Sequence, residues 1–453
     1  MKFTGKTALV AGLARSGVSA AKLLYRLGAR VIVNDIKKEA ELEDLVTDLK
    51  SSIDCEFVLG IQPDEAAEQA DLIVLSPGVP TDLPYIIKAR KSGKEVIGEI
   101  ELAYRLCKAP IAAITGTNGK TTTTALVGEI FKAAGLRTHV LGNIGVPFTG
   151  SVMDILPTDA VSAEISSYQL ETIDTFKPKV AVILNITEDH LNRHKTMEKY
   201  IEAKLSITRN QDEDDSLVIN ADDKILSEIS LDTKARIFRF SRKQVLSAGA
   251  WVEDNEIIVD IGKGRVKICE ADEVAIPGAH NLENALAAAL AASLMGVRPE
   301  AVSTALRTFP GVEHRIEKVD TIDGVTFYND SKGTNPDAAI KAIEAMKGPT
   351  VLIAGGYDKH NTFDEFIQAF GDKVRAMVVL GETAEKIATT AKQMGFTEVY
   401  RVKSIEEAVN TAFKLSSPGY NVLLSPACAS WDMFRDFEER GRVFKEAVKA
   451  LRG

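Results

Sequence analysis

Cysteine is scarce in this chain of 453 residues: Cys55, Cys107, Cys269 and Cys428 stand far apart. They include no C-x-x-C pair, which excludes a zinc knuckle and a redox dithiol and leaves buried thiols as the expectation. Glycine and proline are also modest, 32 and 15, beside 45% hydrophobic and 26% charged residues. That balance excludes collagen-like, low-complexity and disordered classes. An excess of positive charge is missing too. The 55 Lys and Arg against 64 Asp and Glu leave a net charge of -9, so no nucleic-acid partner is expected. The most apolar stretch, residues 285–297, is rich in alanine, and Glu283 and Arg298 bound it. It is too short to span a bilayer. The N-terminus runs straight into strand-like sequence without the apolar core of a signal peptide. A cytoplasmic protein without a membrane partner is therefore expected. His190 and His194 form an H-x-x-x-H pair, but Leu191 stands where a zincin carries its glutamate, which removes the zinc-protease reading.

What is present is a long alternation of short β-branched runs with helix-like segments, the pattern of parallel sheets covered by helices. At roughly 150 residues per domain the length suits three domains. Buried strands are expected at residues 8–11, 31–34, 57–59, 72–75 and 95–97. A new series opens at 111–115 and continues at 138–141, 160–163 and 180–184. From about Asn210 the texture changes. The acidic run Asp212 to Asp215 reads as solvated loop, and the alternation at 256–261 suggests antiparallel strands at a sheet edge. A third series, at 325–328, 351–354, 377–380 and 422–424, follows the break at Phe309-Pro310-Gly311. The expected architecture is α/β throughout. Residues 1–99 form a Rossmann-like domain, 100–311 a P-loop-type central domain with a mostly parallel sheet, and 312–453 a Rossmann-like C-terminal domain.

The sharpest motif is Thr115-Gly116-Thr117-Asn118-Gly119-Lys120-Thr121-Thr122, set between a strand and a helix expected over residues 123–134. Such a loop aims backbone N–H groups and a helix N-terminus at phosphate. Lys120 can reach the β/γ-phosphates and the Thr121 hydroxyl can take Mg²⁺. The strict pattern would place a glycine at Ile114. Near the N-terminus, Gly12-Leu13-Ala14-Arg15-Ser16-Gly17 resembles a dinucleotide fingerprint with alanine for its middle glycine, and Asp35 closes the next strand. A purely structural turn remains an alternative there, and a nucleotide-sugar site is favoured over NAD because no hydride-transfer constellation accompanies it. Glu164 and Asn185 end two further strands, the second leading to His190. At the carboxyl ends of such strands Glu164 and His190 can converge on metal-bound phosphate, although ordinary strand-end polarity would look the same. Lys204, judged by its helical context alone, reads as a solvated lysine.

Assembled, these residues resemble the Mur ligases of peptidoglycan synthesis over essentially the whole chain. The resemblance is carried by Gly116 to Thr122, Asn185 to His190, His280-Asn281-Leu282-Glu283-Asn284, His314-Arg315, Asn329 to Asn335, and Ser425 to Asp432. It implies an ATP-driven peptide bond. A UDP-N-acetylmuramoyl-L-alanine carboxylate is phosphorylated, and the amine of D-glutamate attacks the acyl phosphate, with two Mg²⁺ ions spreading the phosphoryl charge. Carried over residue by residue, Lys120, His190 and Lys204 are catalytic. Thr121, Glu164, His190 and a carbamylated Lys204 hold metal. Gly116 to Thr122, Asn281, Asn284, Arg315, Asp330 and Lys332 bind ATP. Gly12, Arg15, Ser16, Gly17, Asp35, Ser76, Gly78 and Asn143 surround the UDP-sugar, and Thr334, Lys359, Ser430 and Phe437 surround D-glutamate. A monomer is expected. The Asp-Asn-Pro-Arg signature of the diaminopimelate-adding relative is absent. The alternatives are another Mur-type or folylpolyglutamate-type ligase, an NAD-dependent dehydrogenase, and a non-enzymatic nucleotide switch.

Overall fold

Buried β-branched runs dictate the architecture, because a strand covered on both faces needs apolar side chains in both directions. The structure, a computed structural model, describes residues 3–452. It contains three sheets and divides into two compact units, Met1–Glu273 with Glu283–Arg307, and Val274–Leu282 with Thr308–Gly453. Among the described residues no helix is long and apolar enough to cross a membrane.

The first unit holds two sheets. Five parallel strands lie in the order Cys55–Leu59, Arg30–Asp35, Thr7–Ala11, Leu72–Leu75, Glu95–Gly98, the doubly wound arrangement expected of a Rossmann-like domain. The helix Arg15–Arg26 covers it with Val18, Ala20, Ala21, Leu23 and Leu24. Gly17 allows this helix to sit hard on the loop before it, since a Cβ there would run into the carbonyl oxygen of Gly12.

The second sheet has nine strands. Its parallel part runs Gly249–Glu253, Arg236–Ser241, Ser216–Asn220, Val180–Ile183, Ile111–Thr115, Ala160–Glu164, Thr138–Gly142. Glu256–Asp260 and Val266–Glu270 complete it antiparallel at one edge, as the alternation at 256–261 suggested. Three of these strands escape the sequence pattern. Arg236–Ser241 and Val266–Glu270 carry exposed charged residues, and Gly249–Glu253 opens on glycine. The acidic run is not simply solvated loop. Asp215 is buried and accepts from the N–H of Asp212 (3.1 Å), and both carboxylates pair with Lys177, so the run is a tied turn feeding the strand Ser216–Asn220. Only Cys269 and Cys428 are buried thiols. Cys55 opens an edge strand and Cys107 lies in a connection, and both are half-buried.

The second unit carries six strands in the order Glu317–Ile322, Val325–Asn329, Asn421–Leu424, Thr350–Ala354, Val374–Val379, Val399–Arg401. All pairs are parallel except the first. Apolar clusters form on both faces, around Leu352, Met377 and Phe366 on one and around Val351, Val378 and Phe444 on the other.

One buried carboxylate ties the helix Glu99–Tyr104, which follows the first sheet, to the loop before the strand Val180–Ile183. Glu101 is fully buried and accepts from the N–H groups of Asp174 (2.9 Å), Thr175 (3.0 Å) and Phe176 (2.9 Å). It also takes the Thr175 hydroxyl (2.5 Å) and the Arg105 guanidinium (2.7 Å). Burial pushes its pKa up, but the donors from Thr175, Asp174 and Arg105 outweigh it, and the carboxyl titrates below the ordinary range. A depressed folded pKa contributes stability that is present above the unfolded pKa and is lost as pH falls through the folded one. Glu101→Gln should therefore cost about 2 to 3 kcal/mol at pH 7 and lower the Tm of this unit by about 5 °C or more. The gap to wild type should narrow below about pH 4. Calorimetric scans across pH check it, and a gap independent of pH would show that the lost interaction is not the charge.

Candidate active site

The strand Ile111–Thr115 delivers the chain to a loop whose geometry is set by glycine and by a neighbouring strand end. Gly119, at φ +83°, caps the helix Lys120–Ala133, and a Cβ there would collide with the Asn284 amide. The helix starts three residues before the expected 123, so Lys120 itself occupies its first turn. Asn185 pins the loop: its Oδ1 accepts from Asn118 N (2.8 Å), its Nδ2 donates to Asn118 O (3.1 Å), and its carbonyl accepts from Thr117 N (3.0 Å). Lys120 folds back so that Nζ donates to the carbonyls of Gly116 (2.9 Å) and Thr117 (2.7 Å). Thr123 Oγ1 donates to Asn284 Oδ1 (3.3 Å). An ammonium and a helix N-terminus converge on one loop, the arrangement that receives phosphate.

Glu164 ends the adjacent strand, its residue paired with Ile114. It is buried. Oε1 accepts from Asn143 Nδ2 (2.9 Å), while Oε2 has no partner among the described residues. A buried carboxylate oxygen without a donor is costly. Glu164 and the Thr121 hydroxyl, in the first turn of the helix Lys120–Ala133, are hard oxygen donors of the kind Mg²⁺ takes. His190 is exposed and left-handed at φ +54°, its Nδ1 3.1 Å from the Tyr168 hydroxyl.

Lys204 is not the solvated helix lysine its context suggests. It is 1% exposed on the helix Met197–Leu205, its Nζ donating to Gly116 O (2.7 Å) and lying 4.5 Å from the centre of the Tyr200 ring. The Tyr200 hydroxyl is in turn 3.1 Å from Thr117 Oγ1. Burial, with the charge of Lys120 adding to it and Asp189 opposing, pushes the Lys204 pKa down to about 6. At neutral pH it is mostly a neutral amine.

A cavity of about 590 Å³ opens at the strand ends of the first sheet. Gly12, Arg15, Ser16, Asp35, Ser76, Gly78 and Asn143 all line it. Gly17 does not, and serves helix packing. Ala14 is an extended N-cap at φ -107°, so the missing middle glycine imposes no strain. Both Asp35 oxygens already accept backbone N–H groups, from Leu13 (2.8 Å) and Lys37 (2.9 Å), so this residue shapes the wall. Asn34, Gln62, Tyr85 and Gln169 line the cavity as well. Asn34, beside Asp35 at a strand end, was open to inference, whereas the other three carry no motif.

In the second unit, Asp330 follows the strand Val325–Asn329. It accepts from Ser425 Oγ (2.7 Å) and Ile316 N (3.2 Å). Burial pushes its pKa up to about 7, against the Ser425 hydrogen bond and the charge of Arg315. Arg315 and Asn281 line a cavity of about 360 Å³ in this unit, and Arg315 Nε is buried without a partner among the described residues. Asn284 belongs to the first unit, so the two asparagines expected together fall in different units. Lys332 Nζ lies 5.4 Å from the Phe437 ring, whose backbone carbonyl accepts from Ser331 Oγ (2.8 Å). Thr334 follows in the same turn. Lys359 Nζ lies 5.0 Å from the exposed Trp431 ring, next to buried Ser430, and Trp431 packs on Tyr357 at 5.6 Å. Arg440 was not expected. It is buried and donates to Ser331 Oγ (2.9 Å), Ser331 O (2.8 Å) and Cys428 O (3.1 Å), and burial lowers its pKa only to about 10, so it stays a cation.

Three family models match in order: the Mur ligase MurD-like N-terminal domain over residues 6–98, the Mur ligase middle domain over 114–292, and the Mur ligase glutamate ligase domain over 314–428. The UDP-N-acetylmuramoylalanine--D-glutamate ligases of Thermoanaerobacter pseudethanolicus and Clostridioides difficile are 51% and 49% identical to this chain, each over 100% of both proteins. Two solved structures share the fold. The UDP-N-acetylmuramate-alanine ligase of Thermotoga maritima matches with a TM-score of 0.61 at 21% identity, over 98% of this chain and 99% of its own. MurF from Acinetobacter baumannii matches with a TM-score of 0.62 at 17% identity, over 97% and 93%. With full-length relatives sharing about half of its residues and three domain models in sequence, the chain belongs to the Mur ligase family.

Proposed function

We propose that the chain joins D-glutamate to UDP-N-acetylmuramoyl-L-alanine at the expense of ATP, a step of peptidoglycan precursor synthesis. One observation carries this reading. Asn143 lines the large cavity and also donates to Glu164 beside the phosphate loop, so a nucleotide sugar seated in the cavity would reach toward the phosphates. The near-identical span of the named ligases supports the choice of substrates. The cytoplasm, where ATP and UDP-sugars are at hand, is the proposed location, and a monomer of three domains, 1–99, 100–311 and 312–453, the proposed unit.

Lys120 and the N–H groups of the loop and helix start would orient the γ-phosphate. The alanine carboxylate attacks it, the bond to ADP breaks, and an acyl phosphate forms. The D-glutamate amine then attacks the acyl carbon, loses a proton, and phosphate leaves. Two magnesium ions, held by Thr121 and Glu164 and by His190 with Lys204, would supply neutralising charge. A neutral Lys204 amine can add CO₂ and release a proton, which turns it into an anionic oxygen ligand. Arg315, Asp330, Lys332, Asn281 and Asn284 would serve ATP. Lys359 would offer a point charge to a substrate carboxylate, with Thr334, Ser430 and Phe437 around it.

Phosphate release from ATP should require both the UDP-muramoyl-alanine acceptor and D-glutamate. L-glutamate serving equally well would overturn the assignment. Lys120→Ala should lower kcat by about 10² or more while leaving the fold intact. Lys204→Ala should lose activity and recover part of it when a small carboxylate fills the space, an outcome that an ordinary structural lysine would not give. Lys359→Ala should raise KM for D-glutamate far more than KM for ATP, and Asn281→Ala the reverse, both read from initial rates.

A further inference from the structure

One wall of the large cavity is the turn of residues 76–80, all of which line it. One end of the turn is anchored within the first sheet's own loops, where Ser76 Oγ donates to Gly12 O (2.7 Å). The other end is held from 114 residues away. Arg193 Nη2 donates to Val79 O (2.9 Å) and to Glu171 Oε2 (2.7 Å), and its Nε donates to the same carboxylate at 3.2 Å. The guanidinium also lies 5.2 Å from the centre of the Tyr168 ring, and the Tyr168 hydroxyl meets His190 Nδ1 at 3.1 Å. Arg193 and Glu171 side chains are 15% and 17% exposed.

We propose that Arg193 is a positioning residue that latches the cavity wall to the Glu171 carboxylate and the Tyr168 ring, so that the hold on the UDP moiety is set from the segment that carries His190. The chemistry selects arginine. One planar group must feed a carboxylate with two donors, a backbone carbonyl with a third, and present a flat face to an aromatic ring. A lysine ammonium cannot do all three. A plain structural ion pair would need only Glu171, whereas Arg193 spends a donor on a carbonyl of the cavity wall. The pair is sheltered enough for its charge-assisted hydrogen bonds to count. His194, one residue on, lies beside the pair, its Nδ1 3.4 Å from Glu171 and its Nε2 3.0 Å from Ser167 Oγ.

The inference rests on the large cavity being the UDP site, and the test separates it from the proposed reaction. UDP, UDP-N-acetylmuramoyl-L-alanine and a non-hydrolysable ATP analogue are titrated calorimetrically into the full chain and its Arg193→Ala, Arg193→Lys and Glu171→Gln variants. Arg193→Ala should weaken UDP and the acceptor about tenfold, with the ATP analogue within about twofold and Tm nearly unchanged. Arg193→Lys should recover only part of the loss, and Glu171→Gln, which leaves the Val79 arm in place, should cost less than Arg193→Ala. Equal UDP affinity in wild type and Arg193→Ala overturns the latch. So does an equal loss for UDP and the ATP analogue, which marks a general scaffold role. A wild type that binds UDP and not the acceptor overturns the proposed reaction and leaves the latch to be judged on the UDP ratio. Binding of neither overturns both.

Discussion

Two lysines share one carbonyl oxygen. Gly116 O accepts from Lys120 Nζ and from Lys204 Nζ, and two full positive charges cannot settle so close inside a protein without an anion between them. Burial relieves the conflict by pushing the Lys204 pKa down to about 6. The surrounding structure serves this arrangement. Tyr200 offers a ring face to Lys204 and its hydroxyl to Thr117, and Asn185 fixes the loop backbone so that the shared carbonyl stays aimed inward. A loop that brings a lysine side chain together with a helix N-terminus is prepared for a polyanion.

The same economy of position runs through the first unit. Strand ends supply Asp35, Ser76, Asn143, Glu164 and Asn185, and each makes a backbone or neighbour contact that orients a loop before any ligand arrives. Glu101 does the corresponding work between helix and loop. Such groups are satisfied, whereas among the described residues Glu164 Oε2 and Arg315 Nε are buried without a partner.

What could be read from the sequence follows from how local each signal is. Strands buried on both faces announce themselves as β-branched runs, and a glycine-rich turn before Lys-Thr-Thr is recognisable because strand, loop and helix N-terminus are contiguous. The strands at 236–241 and 266–270 stay hidden because their charged residues break the apolar pattern. Lys204 was named only through family resemblance, since nothing within its own helix reveals that the phosphate loop, 88 residues away, accepts its amine. Arg193, Glu101 and Arg440 were not seen at all. Each acts on backbone carbonyls or N–H groups distant in the chain, and a backbone atom leaves no mark on its own residue type.

The aromatic pair beside Lys359 gives the molecule an optical asymmetry. The chain has two tryptophans. Trp251 is sealed in the central sheet, 1% exposed, whereas Trp431 stands 63% exposed beneath the Lys359 ammonium. Emission from the first reports the interior and is indifferent to solutes. Emission from the second is open to collisional quenchers, so shielding at a single indole reports on the surface around Lys359 without any label.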